Sequence, residues 1–310
     1  MSPHTLSPER TSSFVAHDPR FADVVGTEPR LELVAETDAH EGPVYAADED
    51  ALYFTTVRRG RVAIKRLDLT AGTVSVVRRD ANNANGMTLD AAGRLVVCEQ
   101  GSFSEPARIS RLDRATGEVE VLAERELSSP NDVTVAADGS IWFTDPSYGA
   151  LQGFRPRSHA ADRVCRLDPE TGEVTVVSDS LDKPNGLAFS SDERVLYVGD
   201  SGAIHAPGDY DPERPRRLVA FDLAGARLTS ERLFADEIPG FPDGLKVDGA
   251  GRVYVSSADG VRVYDPDGVL LGEFELPGAV NFTFGGPDGD VLFITRDDAV
   301  WAAHLQAKGA

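Results

Sequence analysis

"PNDVTVAADGSIWFTDPSYG", Pro130 to Gly149, reads as a β-hairpin. Apolar residues alternate up to Ala136, the Asp-Gly of "ADGS" suits a tight turn, and "IWFTD" begins a second apolar strand. Yet the stretch opens on Asn131 and Asp132, two polar residues at the mouth of a strand that should be packed. Five other stretches repeat the pattern: "EGPVYAADEDALYFTTV" from Glu41, "NGMTLDAAGRLVVCEQ" from Asn85, "NGLAFSSDERVLYVGDS" from Asn185, "DGLKVDGAGRVYVSSA" from Asp243 and "NFTFGGPDGDVLFITR" from Asn281. The six starts lie 44, 46, 54, 58 and 38 residues apart, which is the spacing of propellers and other repeat arrays.

A second type of hairpin fills each gap, as in "RISRLDRATGEVEVLA" and "RVCRLDPETGEVTVVSD". Each unit therefore holds four strands. Helical periodicity is nearly absent, and the sequence predicts an all-β fold: a six-bladed β-propeller with four-stranded antiparallel blades. The last unit is short of an outer strand, and "RLELVAET" (Arg30–Thr37) has the character of one. It is expected to close the ring as the outer strand of the sixth blade, removing a free sheet edge. Residues 1–29 are then an irregular lead-in and 30–310 a single propeller domain, with inserts at 147–162 and 202–216 forming loops on one rim.

The chain carries 51 acidic and 31 basic residues, a net charge of −20, and shows no basic stripe. That argues against nucleic acid or an anionic membrane surface as a partner. No apolar run approaches 18 residues and no signal-peptide pattern opens the chain, so a cytoplasmic protein, monomeric or a weak homo-oligomer, is the expectation. Cys98 and Cys165 sit in apolar β-like runs and read as core thiols.

In a propeller the innermost strands all begin at one end of the central channel. Glu41, Asn85, Asn131, Asn185, Asp243 and Asn281 should therefore converge on the axis. One Asn before Gly or Asp is most often a turn residue. Two carboxylates and several amide oxygens focused on one point instead make a cage for a hard divalent cation, without which the carboxylates would repel. The set holds no Cys or His, which disfavours a zinc site of the usual kind. Strand alternation is expected to turn His40 away from the channel.

"EGPVY", "SPNDVTV…GSIWFTDPSYG", "KPNGLAFSSDERVLYVGD" and "FPDGLKVD" together resemble the gluconolactonase, senescence-marker-protein and regucalcin-like family, from about Glu41 to Trp301. The resemblance implies one divalent metal in the channel, most commonly Ca²⁺, with Zn²⁺, Mg²⁺ or Mn²⁺ as substitutes. Glu41, Asn185 and Asp243 match metal-ligand positions, Asn131 a position that binds metal or substrate, and Asp132 a buried acid behind the ligands. Where many bacterial relatives read "CEHG", this chain reads "CEQG", with Gln100. The implied activity is hydrolysis of a lactone, a sugar lactone above all. Phosphotriester hydrolysis, lyase or isomerase chemistry at the same metal, and a non-enzymatic scaffold are the alternatives.

No G-x-S-x-G elbow, H-E-x-x-H or P-loop occurs; "GDSGA" ends on Ala203. Metal-assisted attack by water is then the coherent chemistry, with Asp243 as the general base. Asn85 and Asn281 complete the axial set behind the ligands. Tyr148, His205, Arg155 and Arg157 are candidates for the substrate rim, and Asp200 for a supporting or a turn role.

Overall fold

The computed structural model describes residues 14–57, 61–124, 126–157 and 161–310. Residues 1–13 of the lead-in lie outside these. Among the described residues the strands form six antiparallel sheets around an axis. Blade one runs Val44–Ala46, Ala51–Thr55, Ile64–Asp68, Thr73–Arg78, and blade two Ala84–Leu89, Leu95–Glu99, Arg108–Leu112, Val119–Ala123. Blade three is Val133–Val135, Ile141–Asp145, Arg163–Leu167, Val174–Ser178, and blade four Pro184–Phe189, Val195–Asp200, Arg217–Ala224, Arg227–Ala235. Blade five is Leu245–Val247, Val253–Ser257, Gly260–Tyr264, Leu270–Glu275. Blade six takes Ala279–Gly285, Val291–Arg296 and Ala299–His304 from the end of the chain and Arg30–Glu36 from its beginning.

The innermost strands touch one another in a closed circuit. Each apolar core lies between two neighbouring blades: Tyr53 and Leu95 meet between blades one and two, Trp142 and Leu196 between three and four, Tyr254 and Phe282 between five and six. A blade's second strand is thus covered on both faces, and in Ala51–Thr55, Leu95–Glu99, Ile141–Asp145 and Val253–Ser257 every residue is buried. This is why those strands read as unbroken apolar runs rather than alternating ones. Both cysteines are free and buried.

Arg30–Glu36 pairs with Ala299–His304, Arg30 opposite His304, as the outer strand of blade six. The segment before it has more structure than an irregular lead-in. Phe14–Ala16 adds a fifth strand to blade five, Phe14 opposite Phe274. A 3₁₀ turn, Pro19–Phe21, follows, its start capped by Asp18, which accepts from the Arg20 N–H. The helix Ala22–Val25 completes this strap. Phe21 and Val24 are buried in the core between blades five and six. A β-carbon on Gly272 would lie 2.5 Å from the Phe21 ring, so the bare glycine backbone makes room for it. No helix among the described residues is long and apolar enough to cross a membrane.

Candidate active site

The repeat starts sit where the inner strands begin, at one mouth of the channel. Glu41, Asn85, Asn131, Asn185 and Asp243 all line a single cavity of about 330 Å³. Each comes from a different blade. Glu41, Asn131 and Asn185 are buried; Asn85 and Asp243 are half-buried. Asn281, from blade six, stands behind them and donates its side-chain N–H to Glu41 Oε2 at 2.8 Å, while Gly42 N–H donates to the same oxygen at 3.0 Å.

Three of the glycines that follow the polar residues are there for space, not for turn geometry; Gly42, after Glu41, does take a positive φ of 56°. None of Gly86, Gly186 and Gly244 has a positive φ. A β-carbon on them would lie 2.6 Å from Asn131 O, 2.1 Å from Asp243 O and 2.3 Å from Asn281 Oδ1, respectively. In each case the next blade's polar residue occupies that space. Gly86 N–H donates to Asn131 O at 2.8 Å and Gly186 N–H to Asp243 O at 3.1 Å, so the crowding is also a hydrogen-bonded ring.

A hydroxyl from the end of a second strand reinforces the ring. Thr55 reaches Asn85 O at 3.3 Å, Thr144 reaches Asn185 O at 2.8 Å and Thr295 reaches His40 O at 2.6 Å. Ser256 donates to Val280 O, and in blade four, where Gly199 holds the matching position, Ser201 just beyond the strand donates to Pro242 O. Each bond crosses to the following blade, Thr295 closing the circle from blade six to blade one. In blade two the corresponding position, just before Glu99, is Cys98. Nothing in a lone Thr or Ser at a strand end marks it as a clasp. The only sequence signal is the coincidence of position across repeats.

Electrostatically the cavity is unbalanced. Burial first, then the charge of Asp243, push Glu41 up to about 8. Burial, with Asp132 adding to it, pushes Asp243 up to about 7, against a hydrogen bond from Asn185 that favours the ionised form. Asp132 does not line the cavity. It is buried behind Asn131, one oxygen accepting from Val133 N–H at 2.9 Å and the other without a partner. Asn131 Oδ1 is likewise buried and without a partner. Among the described residues no three His, Cys, Asp or Glu side chains gather at a point. Carboxamide oxygens must therefore complete any cation shell here. Two carboxylates held above their ordinary range and an orphaned amide oxygen, all oxygen donors, fit a hard divalent cation and not a soft one.

The remaining candidates divide. Gln100 and Tyr148 are buried and line the cavity. His205 does not line it, although its neighbours Ile204, Ala206 and Pro207 do; its ring meets Asp182 Oδ2 at 3.3 Å. Arg155 is a buttress beneath the rim, donating to Gln100 O at 2.9 Å and Leu127 O at 3.3 Å. Arg157 is exposed. Asp200 braces blade four: it accepts from Lys183 N–H at 3.0 Å and pairs with Arg217 at 3.2 Å. Asp145 with Arg163 and Glu99 with Arg108 repeat this carboxylate–arginine brace in blades three and two. His40 departs from its expected orientation. It lines the cavity and its Nδ1 meets Asp297 Oδ1 at 2.8 Å. The inner strand of blade one begins only at Val44, so pleat alternation has no hold on residue 40.

A propeller whose inner strands deliver an all-oxygen donor set to one channel mouth defines a class of small-molecule sites. Residues 39–297 match the family described as the SMP-30/gluconolactonase/LRE-like region, and the chain belongs to that family. A solved gluconolactonase from Xanthomonas campestris is 34% identical, covering 97% of this chain and 99% of its own, with a TM-score of 0.81. The pentonolactonase XacC of Haloferax volcanii is 31% identical over 82% of this chain and 80% of its own length. The gluconolactonase of Zymomonas mobilis is 27% identical over 94% and 85%.

Proposed function

We propose that the protein is a divalent-cation-dependent lactonase that opens a sugar lactone to its hydroxy acid. The observation that carries this is the buried, partnerless Oδ1 of Asn131, a residue that lines the same cavity as Glu41, Asn185 and Asp243. Three relatives that resemble the chain over most of its length are lactonases. Glu41, Asn131, Asn185 and Asp243 would hold the cation, Ca²⁺ being the best match to this donor set. When bound, it supplies a Lewis acid that polarises the lactone carbonyl.

The chain's own groups do the rest. Asn281 and Gly42 fix the Glu41 carboxylate from behind. Asp243 takes a proton from the water that adds to the carbonyl carbon. The bond between that carbon and the ring oxygen then breaks, the ring oxygen leaves with the electron pair and takes the proton back from Asp243, and the ring opens. Asn85 and Gln100 present amides to the substrate hydroxyls.

Proton release from a panel of sugar and simple lactones, beside a fluorophosphate, tests this. Turnover of lactones is expected, lost on chelation and restored by Ca²⁺ or another divalent ion. Full activity in excess chelator with no metal in the protein would remove the cation from the reading. A fluorophosphate turned over while every lactone is left intact would replace the reaction class.

A further inference from the structure

The hydroxyl of Tyr148, in the cavity wall, has no part in that scheme. Its position is built with care. Ser129 accepts from Gly149 N–H at 2.9 Å and donates to Pro146 O at 2.7 Å, and the Ser147 N–H goes to Asp162. Gln152 N–H closes the single helical turn onto Tyr148 O at 2.8 Å. Gly149 has no side chain because the Arg155 chain passes where its β-carbon would be, at 2.9 Å. The backbone that carries the phenol is therefore held on both sides of residue 148. It is only 5% exposed, lines the cavity with Asn131, Asn185 and Asp243, and its oxygen makes no hydrogen bond within the protein. Ser201 lies alongside, but its own proton goes to Pro242 O, and no bond of hydrogen-bonding geometry joins it to the phenol.

A buried hydroxyl without a partner is a cost that a fold ordinarily avoids. The fold keeps one in the wall of its cavity, which points to a group that enters there as the partner. Burial, with the charge of Asp243 adding to it, raises the Tyr148 pKa well above its ordinary value, so the phenol keeps its proton and can donate.

We infer that Tyr148 is a further catalytic residue, its hydroxyl donating a hydrogen bond to the lactone carbonyl oxygen as water adds to the carbon. This rests on the lactonase reading. As the new carbon–oxygen bond forms, the carbonyl π pair moves onto that oxygen, and its negative charge strengthens the bond from Tyr148. When the ring C–O bond breaks, the charge returns to the carbonyl. Tyr148 keeps its proton throughout, so its contribution is to the transition state rather than to binding.

The test is Tyr148→Phe, which keeps the ring that packs and removes only the oxygen. Loss of one such donor costs about 10²–10³ in rate. The expected result is a kcat lowered by about a hundredfold, KM within about threefold, and cation affinity by calorimetry unchanged. A cyclic phosphonate that mimics the tetrahedral species should bind the variant less tightly by about the same factor, while a neutral lactam of the same ring size binds both alike. A kcat within about threefold of the parent, or phosphonate and lactam affinities falling together, would overturn the role of Tyr148 and leave the lactonase standing. A parent protein that neither turns over a lactone nor binds the phosphonate would overturn both.

Discussion

In the proposed reaction Asp243 would serve both as ligand and as base, and its substitution separates activity from fold. Asp243→Asn keeps an oxygen donor and removes the proton acceptor. Turnover should fall by about 10²–10⁴, with the melting temperature in chelator equal to or above that of the parent, because a buried negative charge has gone. A variant with parental kcat would remove Asp243 from the chemistry. Glu41 makes the electrostatic case sharper. Its folded pKa, pushed to about 8 by burial and by Asp243, lies above that of an unfolded glutamate. The cation-free folded state then binds the extra proton, and the stability tied to Glu41 is full below about pH 4 and is lost as pH rises through about 8. In chelator, the parent should lose more melting temperature between about pH 5 and pH 8 than Glu41→Gln does. Equal slopes would mean that Glu41 is not held above its ordinary range in the cation-free protein. Of these residues, Glu41, Asn131, Asn185 and Asp243 were visible in the sequence because each opens a repeat at a matching position. The cavity-facing His40 was not, because it precedes its strand and follows no pleat.

At the scale of elements, the six hairpins were legible because second strands covered on both faces leave unbroken apolar runs. What holds the blades in register around the axis was not. A Thr at the end of Ile141–Asp145 looks like any strand residue, yet its hydroxyl accepts from Asp132 N–H at 3.1 Å and reaches Asn185 O at 2.8 Å. Thr144→Val leaves both backbone groups buried and unmatched. It should cost about 2 kcal/mol in urea unfolding and weaken cation binding about tenfold, since Asn185 loses its anchor. A variant with parental cation affinity would show that the inner strands hold their places without the clasp. The brace at Asp200 follows the same logic. In sequence it stands in "VGDSG" and invites a role in the site, whereas its repeat partners Asp145 and Glu99 show that the position belongs to the blade.

The whole ring depends on segments far apart in the chain. The closing strand Arg30–Glu36 could be read from a unit that lacked its fourth strand. The strap of residues 14–25 could not, because three strand residues and two short turns carry no periodicity. Its grip is nonetheless specific: Phe21 is buried over Gly272, and Arg20 pairs with Asp265 at 2.6 Å. Phe21→Ala should destabilise the protein by about 3–5 kcal/mol in equilibrium unfolding. A loss below about 1 kcal/mol would make the strap an ornament of blade five. The pairing of Arg30–Glu36 with Ala299–His304 also governs how the ring is completed. Without that pairing, five blades and three strands of the sixth make only an open arc. The circle closes when Arg30–Glu36 reaches the strands that follow blade five. A circularly permuted chain, with Ala299–His304 linked through to Arg30–Glu36 and new ends cut in an outer turn, should assemble the same wheel with its latch moved to another spoke.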